Sequence, residues 1–445
     1  MYTISFIGRV FKYIFLIGVG TASAAFIAFE GMHVYVEKVC LPAPPPKDEW
    51  GWNEEVQSWT GGSQGGTDPR LGRKARHALR GAWVAQEWGA GLTGGTIGRK
   101  SGGEAVEANK VDVGYEMADR YLELAISEAK KRGMVFPPTL SVLRSPGPSE
   151  QKGLQGDPAA VDLMLLQAGV LERLSSPETL GSAKEIYETV WAVSDGDAKT
   201  MRLAGKVGDL SARLGLDNEA MAWWEWGLAR AGVQSGVTTT PTLSPPILRA
   251  AINLLSSASA HLAITSQLNS ASTLQETALS LLPPSHPLPS PTTLTAPAVL
   301  QDTWLQHRAA LFTLHHSSIL HALDRPALHL AIAASERAEH VISAISPLPH
   351  EYDGYEQAKA LHRDALLLGA EAAYTRGALL ARAGATQQIV ADCYQRAMGL
   401  SAQESGQTEE GKMSEDGKRY WRAYARVRGK IDEASEKGRI DTQGS

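Results

Sequence analysis

The sequence predicts an all-α protein, an array of helical hairpins behind a single N-terminal membrane helix. Three observations predict it. Ala and Leu dominate while β-branched and aromatic residues are modest, a composition that favours helix over sheet. Tyr13–Phe29 is a 17-residue run without a charge. After residue 110, apolar residues recur at helical spacing in segment after segment, with Pro- and Gly-rich breaks between them.

The chain has 445 residues, long enough for two or three domains or one long repeat array. Hydrophobic residues make up 43% and charged residues 20%, which is enough to bury a core. The net charge of −5 gives no basic surface for phosphate, so nucleic acid is not expected as a partner. Cys40 and Cys393 are the two cysteines, far apart and without a CxxC pair, which excludes a disulfide framework and argues against zinc. None of the five asparagines is followed two places on by Ser or Thr, so no N-glycosylation acceptor exists, which leans against secretion.

Residues 1–12 form a short basic tail with Arg9 and Lys12, and residues 13–36 read as the transmembrane helix, with Glu30–Val36 extending its apolar core. Positive charge upstream and Glu30 and Glu37 downstream place the N-terminus on the cytosolic or matrix side. Two alternatives stay open. Ala22-Ser23-Ala24 has the form of a signal-peptide cleavage site, and residues 1–12 have that of a presequence stub ahead of a retained anchor. Apolar residues continuing to Phe29 favour the anchor. Gly20, Ala24 and Ala28, spaced by four, give a small-residue face for packing against another membrane helix, although small residues abound in such helices.

Residues 37–69 read as a Pro/Gly-rich linker whose proline run would lift the domain off the bilayer. Gly61-Gly62 and Gly65-Gly66 suit a flexible or tightly turned loop, and no phosphate-loop pattern accompanies them. Thr67 or Asp68 can cap a helix with Pro69 in its first turn. Arg70, Arg73, Lys74, Arg76 and Arg80 make a basic patch, read either as a contact for anionic lipid or an acidic partner or as a solvated helix face. Trp50, Trp52, Trp59, Trp83 and Trp88 should pack on the helices or at the membrane interface.

Residues 70–400 read as the repeat domain, with Pro-rich insertions near 134–157, 236–246 and 283–297, then a polar acidic loop at 401–416, a capping helix at 417–437 and a disordered tail at 438–445. Hairpins are expected over 158–191 and 198–231. In the second, Gly208, Ala220, Trp224 and Gly227 match the spacing of the tetratricopeptide (TPR) signature, where small residues let helices approach and an aromatic plugs the space between them. Ala183 and Tyr187 repeat the small–aromatic spacing in the first, with Val190 where a small residue is usual. The expected fold is therefore a TPR-like α-solenoid, with these six residues packing the repeats. Further hairpins are expected over 247–282, 304–345 and 355–400.

No catalytic constellation is present: HExxH, GxSxG, a dinucleotide fingerprint and paired carboxylates are all absent. His307, His315, His316, His321, His329 and His340 cluster in one hairpin without a ligand pattern and read as surface or inter-helix histidines. No enzyme activity, cofactor or metal is expected. Trp223 and Trp226 are candidates to face a groove and hold a peptide, with inter-repeat packing the alternative.

The basic N-terminus and anchor, the stretch from Trp59-Thr60-Gly61-Gly62 through Gly65-Gly66-Thr67-Asp68-Pro69 to Ala82-Trp83 and Trp88-Gly89, and the hairpin with Asp162-Leu163, Leu171-Glu172-Arg173, Ala183 and Tyr187 together resemble a fungal family of mitochondrial inner-membrane TPR proteins. That is the family of the adaptor subunit of the i-AAA protease. The resemblance covers about two thirds of the chain and implies a single-pass inner-membrane protein. Its N-terminus would be in the matrix and its repeat domain in the intermembrane space, binding client proteins for a AAA protease. Arg73, Arg76, Arg80, Trp223 and Trp226 are the candidate partner-binding residues. Alternatives are an assembly factor for a respiratory-chain complex, a secreted or endoplasmic-reticulum protein, and an unrecognised helical enzyme.

Overall fold

In the computed structural model, the described residues are 2–41, 43, 49–55, 58–89, 112–138, 156–194, 197–233, 243–282, 296–345, 356–405 and 415–443. Among them every regular element is helical. The chain divides into two compact units, one of residues 1–46, 56–195 and 213–216, the other of residues 47–55, 196–212 and 217–445.

In the first unit, α1 (Tyr2–Tyr35) runs directly into a π-helical turn, Val36–Cys40. The expected basic tail is thus helical from Tyr2. Large apolar side chains are exposed all round α1 from Tyr13 to Phe29, and the helix is long and apolar enough to cross a membrane. Asp68 accepts a hydrogen bond from the Arg70 amide and Pro69 opens a short 3-10 turn, from which α2 (Gly72–Gly89) continues. Asp112 caps α3 (Val113–Lys131) through the Gly114 amide, and Lys130 and Lys131 face its negative end. Pro158 starts α4 (Pro158–Leu174). Ser175 in the left-handed region and a reciprocal Ser176–Thr179 capping box turn the chain at once into α5 (Pro177–Val193). The core is Ala-rich: Ala75, Leu79 and Ala82 of α2 meet Ala118, Leu122 and Ala125 of α3, closed by Leu163, Leu166 and Val170 of α4.

The second unit contains α6 (Asp197–Arg213, to Ala212 in this unit), α7 (Asp217–Arg230), α8 (Pro245–Ile264), α9 (Leu268–Leu281), α10 (Ala296–Ala322), α11 (Leu328–Ile345), α12 (Glu356–Arg382), α13 (Gln387–Ser405) and α14 (Glu415–Gln443). From α7 onward each helix packs on the next, and α10 also touches α8 and α12. Those helices thus pack in sequence order, each against its neighbours in the chain. α8 is also apolar enough to span a membrane, but half of that stretch is buried, with Ala251, Leu254, Leu255 and Ala258 in the core, so it is a core helix.

Several boundaries differ from the sequence reading. Residues 401–405 of the expected polar loop are the end of α13, the rest of that loop up to residue 414 lies outside the described residues, and the capping helix runs over Glu415–Gln443, so residues 438–443 are helix and not a disordered tail. The interior of each expected Pro-rich insertion lies outside the described residues, and their ends do not: Pro245–Pro246 and Ala296–Pro297 are first turns of helices, where proline costs no hydrogen bond. The largest correction concerns 37–69. Where described it is folded rather than extended, with Trp52 only 1% exposed inside the second unit and Glu37, Thr60, Leu41 and Thr67 packed in the first. The apolar area of an indole outweighs the extended preference of the flanking prolines. The proline run itself lies outside the described residues.

Candidate functional site

The most elaborate arrangement of charged side chains in the first unit joins α1 to α2. Glu30, His33 and Glu37 recur at three- and four-residue spacing on one face, as do Arg73, Arg76, His77 and Arg80. Arg73 Nη2 lies 2.6 Å from Glu30 Oε1, and His77 Nε2 lies 3.2 Å from Glu30 Oε2. Further along, Arg76 Nη2 lies 2.7 Å and Arg80 Nη1 3.5 Å from the two oxygens of Glu37. The Thr67 amide (3.0 Å) and hydroxyl (2.8 Å) also donate to Glu37, and Arg76 Nε donates back to the Thr67 hydroxyl at 2.9 Å. Burial pushes the Arg80 guanidinium below its ordinary value, with the Glu37 charge opposing.

The double-glycine loop forms this socket. Gly66 has φ +64°, and a Cβ there would stand 2.7 Å from Glu37 Oε1, so only glycine lets the carboxylate seat against the Thr67 amide. A Cβ on Gly61 would strike the Gly65 carbonyl at 2.0 Å. Sequence reasoning had the glycine loop and the basic patch but not the acids that join them. The signal was present in the matching spacing of 30, 33, 37 with 73, 76/77, 80.

Beside the clamp, and within the same unit, α1, α2 and α3 enclose an open apolar groove of about 990 Å³. His33 lines it, 3% exposed, with neither ring nitrogen hydrogen-bonded to protein. On the other side Trp88, Val113, Met117 and Leu124 remain exposed. Gly20, Ala24 and Ala28, the candidate small-residue face, are exposed on α1, with nothing within 4 Å of a Cβ on Gly20.

The repeat-packing candidates are buried. In the first unit Ala183 has no exposure, and the Tyr187 hydroxyl donates to Glu172 Oε2 at 3.3 Å. Burial and that carboxylate raise the Tyr187 pKa. In the second unit Trp224 lies so close over α6 that a Cβ on Gly208 would sit 2.4 Å from its Nε1, which donates to Asp209 Oδ1 at 3.2 Å. Ala220 is fully buried, and Gly227 admits Leu254 of α8. Trp223 and Trp226 are half-buried, and the Arg230 guanidinium lies 5.9 Å from the Trp226 ring.

A second polar node was not foreseen. Arg249, 1% exposed, lies 3.9 Å from the Trp52 ring centroid, with Nε 2.7 Å from Glu55 and Nη2 donating to the Trp50 carbonyl at 2.9 Å. Its remaining donor meets Gln301. Of the histidine cluster, His307 and His316 are buried rather than at the surface. Burial and the neighbouring Arg308 push His307 down to about 3. Among the described residues no group of three or more His, Cys, Asp or Glu could hold a metal ion.

No family model matches the chain, and no curated protein matches it.

Proposed function

We propose that the protein is a membrane-anchored scaffold whose helical hairpins bind protein partners close to a bilayer. The observation that carries this reading is the clamp of Glu30 and Glu37 on Arg73, Arg76 and Arg80. It makes an apolar helix long enough to span a membrane continuous with the first helical unit. A purely solvated basic patch would need no such partners, and a cleaved signal peptide would take no part in the folded unit. Arg76 and Arg80 serve the clamp, while Arg73, with the most exposed side chain of the three, can also reach outward. Stacked hairpins of TPR type display an extended surface that suits peptide or protein recognition.

The finer reading rests on the resemblance described above. The protein is a single-pass protein of the mitochondrial inner membrane, with its N-terminus in the matrix, and recruits clients to a AAA protease in the intermembrane space. Small residues at Gly208, Ala220 and Gly227 around Trp224 support the TPR assignment. The test is crosslinking pull-down of the tagged full-length protein from isolated mitochondria, with protease protection on the same preparation. Co-recovery of a AAA protease, with the helical domain digested only after outer-membrane rupture, is expected. Absence from mitochondria would overturn the location. Recovery with respiratory-complex intermediates and no protease would replace the adaptor by an assembly factor.

A further inference from the structure

We propose that the groove between α1, α2 and α3 holds an acyl chain of a bilayer phospholipid; this rests on the reading of α1 as a membrane anchor. The first argument is depth. The uncharged run Tyr13–Phe29 spans about 26 Å at about 1.5 Å per residue, close to the hydrocarbon thickness of about 30 Å. The apolar boundary therefore falls at Phe29 and Glu30, and both residues line the groove. One wall of the groove is thus the membrane helix itself at the level where it leaves the bilayer.

The second argument is chemistry. Trp88 is 52% exposed, Met117 46% and Leu124 48%, an apolar strip that water alone would not favour. The volume of about 990 Å³ lies at the upper end of the usual ligand range of about 300–1,000 Å³. His33 is nine-tenths buried, lines the groove and has both ring nitrogens without a hydrogen-bond partner. A glycerol ester carbonyl, which sits at the same depth, would accept from one of them. A partner helix lacks this match to membrane depth.

The experiment reconstitutes the full-length protein in phosphatidylcholine vesicles containing a phosphatidylcholine with a diazirine midway along one acyl chain. Irradiation is followed by peptide mapping. Label is expected on the Tyr13–Phe29 peptide and also on peptides carrying Trp88, Met117 and Leu124. Met117→Glu with Leu124→Glu, both at exposed positions, should cut the second label at least tenfold and leave the first unchanged, with circular dichroism unaltered. Label on the α1 peptide alone overturns the groove proposal and leaves the anchor standing. Label on neither overturns the anchor. Groove label that survives both charges reports nonspecific contact and overturns the proposal, as does recovery of a protein helix crosslinked in the groove from native membranes.

Discussion

The guanidinium of Arg249 lies 3.9 Å from the centroid of the Trp52 indole, and both side chains are buried. This stack ties a segment that reads as linker into the core of the second unit. The charge is balanced by Glu55 from the same segment, and Trp52 Nε1 donates to the Pro297 carbonyl at 3.0 Å. The segment therefore brings the tryptophan and the carboxylate together. Trp52→Ala removes both the buried indole and the ring over the cation, a loss of about 3–5 kcal/mol. Urea unfolding followed by tryptophan fluorescence should show it, together with new proteolysis near Glu49–Glu55. An unchanged midpoint would mean that the segment is an attached strap and contributes nothing to the core.

Three glycines in helices give opposite signs. Gly181 of α5 has nothing within 4 Å of where a Cβ would stand, so Gly181→Ala should stabilise by about 0.5–1 kcal/mol through helix propensity. Gly208→Ala gains the same propensity but drives a methyl against the Trp224 indole, and overpacking of about 1–3 kcal/mol outweighs it. Gly227→Ala meets only the end of the Leu254 side chain and should fall between them. Thermal midpoints should rank Gly181→Ala highest, Gly227→Ala next and Gly208→Ala lowest. Equal midpoints would deny the close approach of Trp224 to α6.

This contrast shows what the sequence carried. Gly208, Ala220, Trp224 and Gly227 were legible because close helix approach demands small residues at fixed spacing. A helix start was legible at Asp68-Pro69, where the capping chemistry is local. The fate of residues 37–69 was not, because local composition argued for an extended chain while the partners of Trp52 and Glu37 lie far along the sequence. The same reason hid the clamp: Arg76 and Arg80 read as a solvated face until Glu37 is placed opposite them. The burial of His307 was likewise invisible, since α10 is apolar and polar on all sides and offers no single inward face.

The clamp should behave as a coupled unit. Glu37 and Arg76 are mostly shielded from water, and the carboxylate is also held by Thr67, so the pair is stronger than a surface ion pair. A double-mutant cycle with Glu37→Gln and Arg76→Gln should give a coupling energy of about 1–3 kcal/mol. It is read from detergent-solubilised full-length protein by thermal unfolding. Gly66→Ala should mimic part of the Glu37→Gln loss by displacing the carboxylate from its socket. A coupling indistinguishable from zero would separate α1 from the folded unit and remove the support for a rigid anchor.

His307 makes the second unit acid-sensitive. Its imidazole is held down to about 3 by burial and by the Arg308 charge, against an ordinary value of 6.5. Between those values the unfolded chain binds a proton that the folded chain does not. Stability therefore falls as pH drops from 6.5 towards 3, by up to about 1.4 kcal/mol per pH unit for this one site. His315 and His316 are also lowered by burial and add slope of the same sign, so the natural chain alone does not isolate His307. His307→Leu does. It removes the titrating group while keeping an apolar side chain in the buried position. Urea midpoints of the natural chain and the variant are measured from pH 7.5 to pH 4, and the natural chain's should fall relative to the variant's as pH falls, because only the natural chain loses this contribution. Parallel curves would mean that His307 is protonated without penalty in the fold, and that its surroundings admit water or a counter-charge.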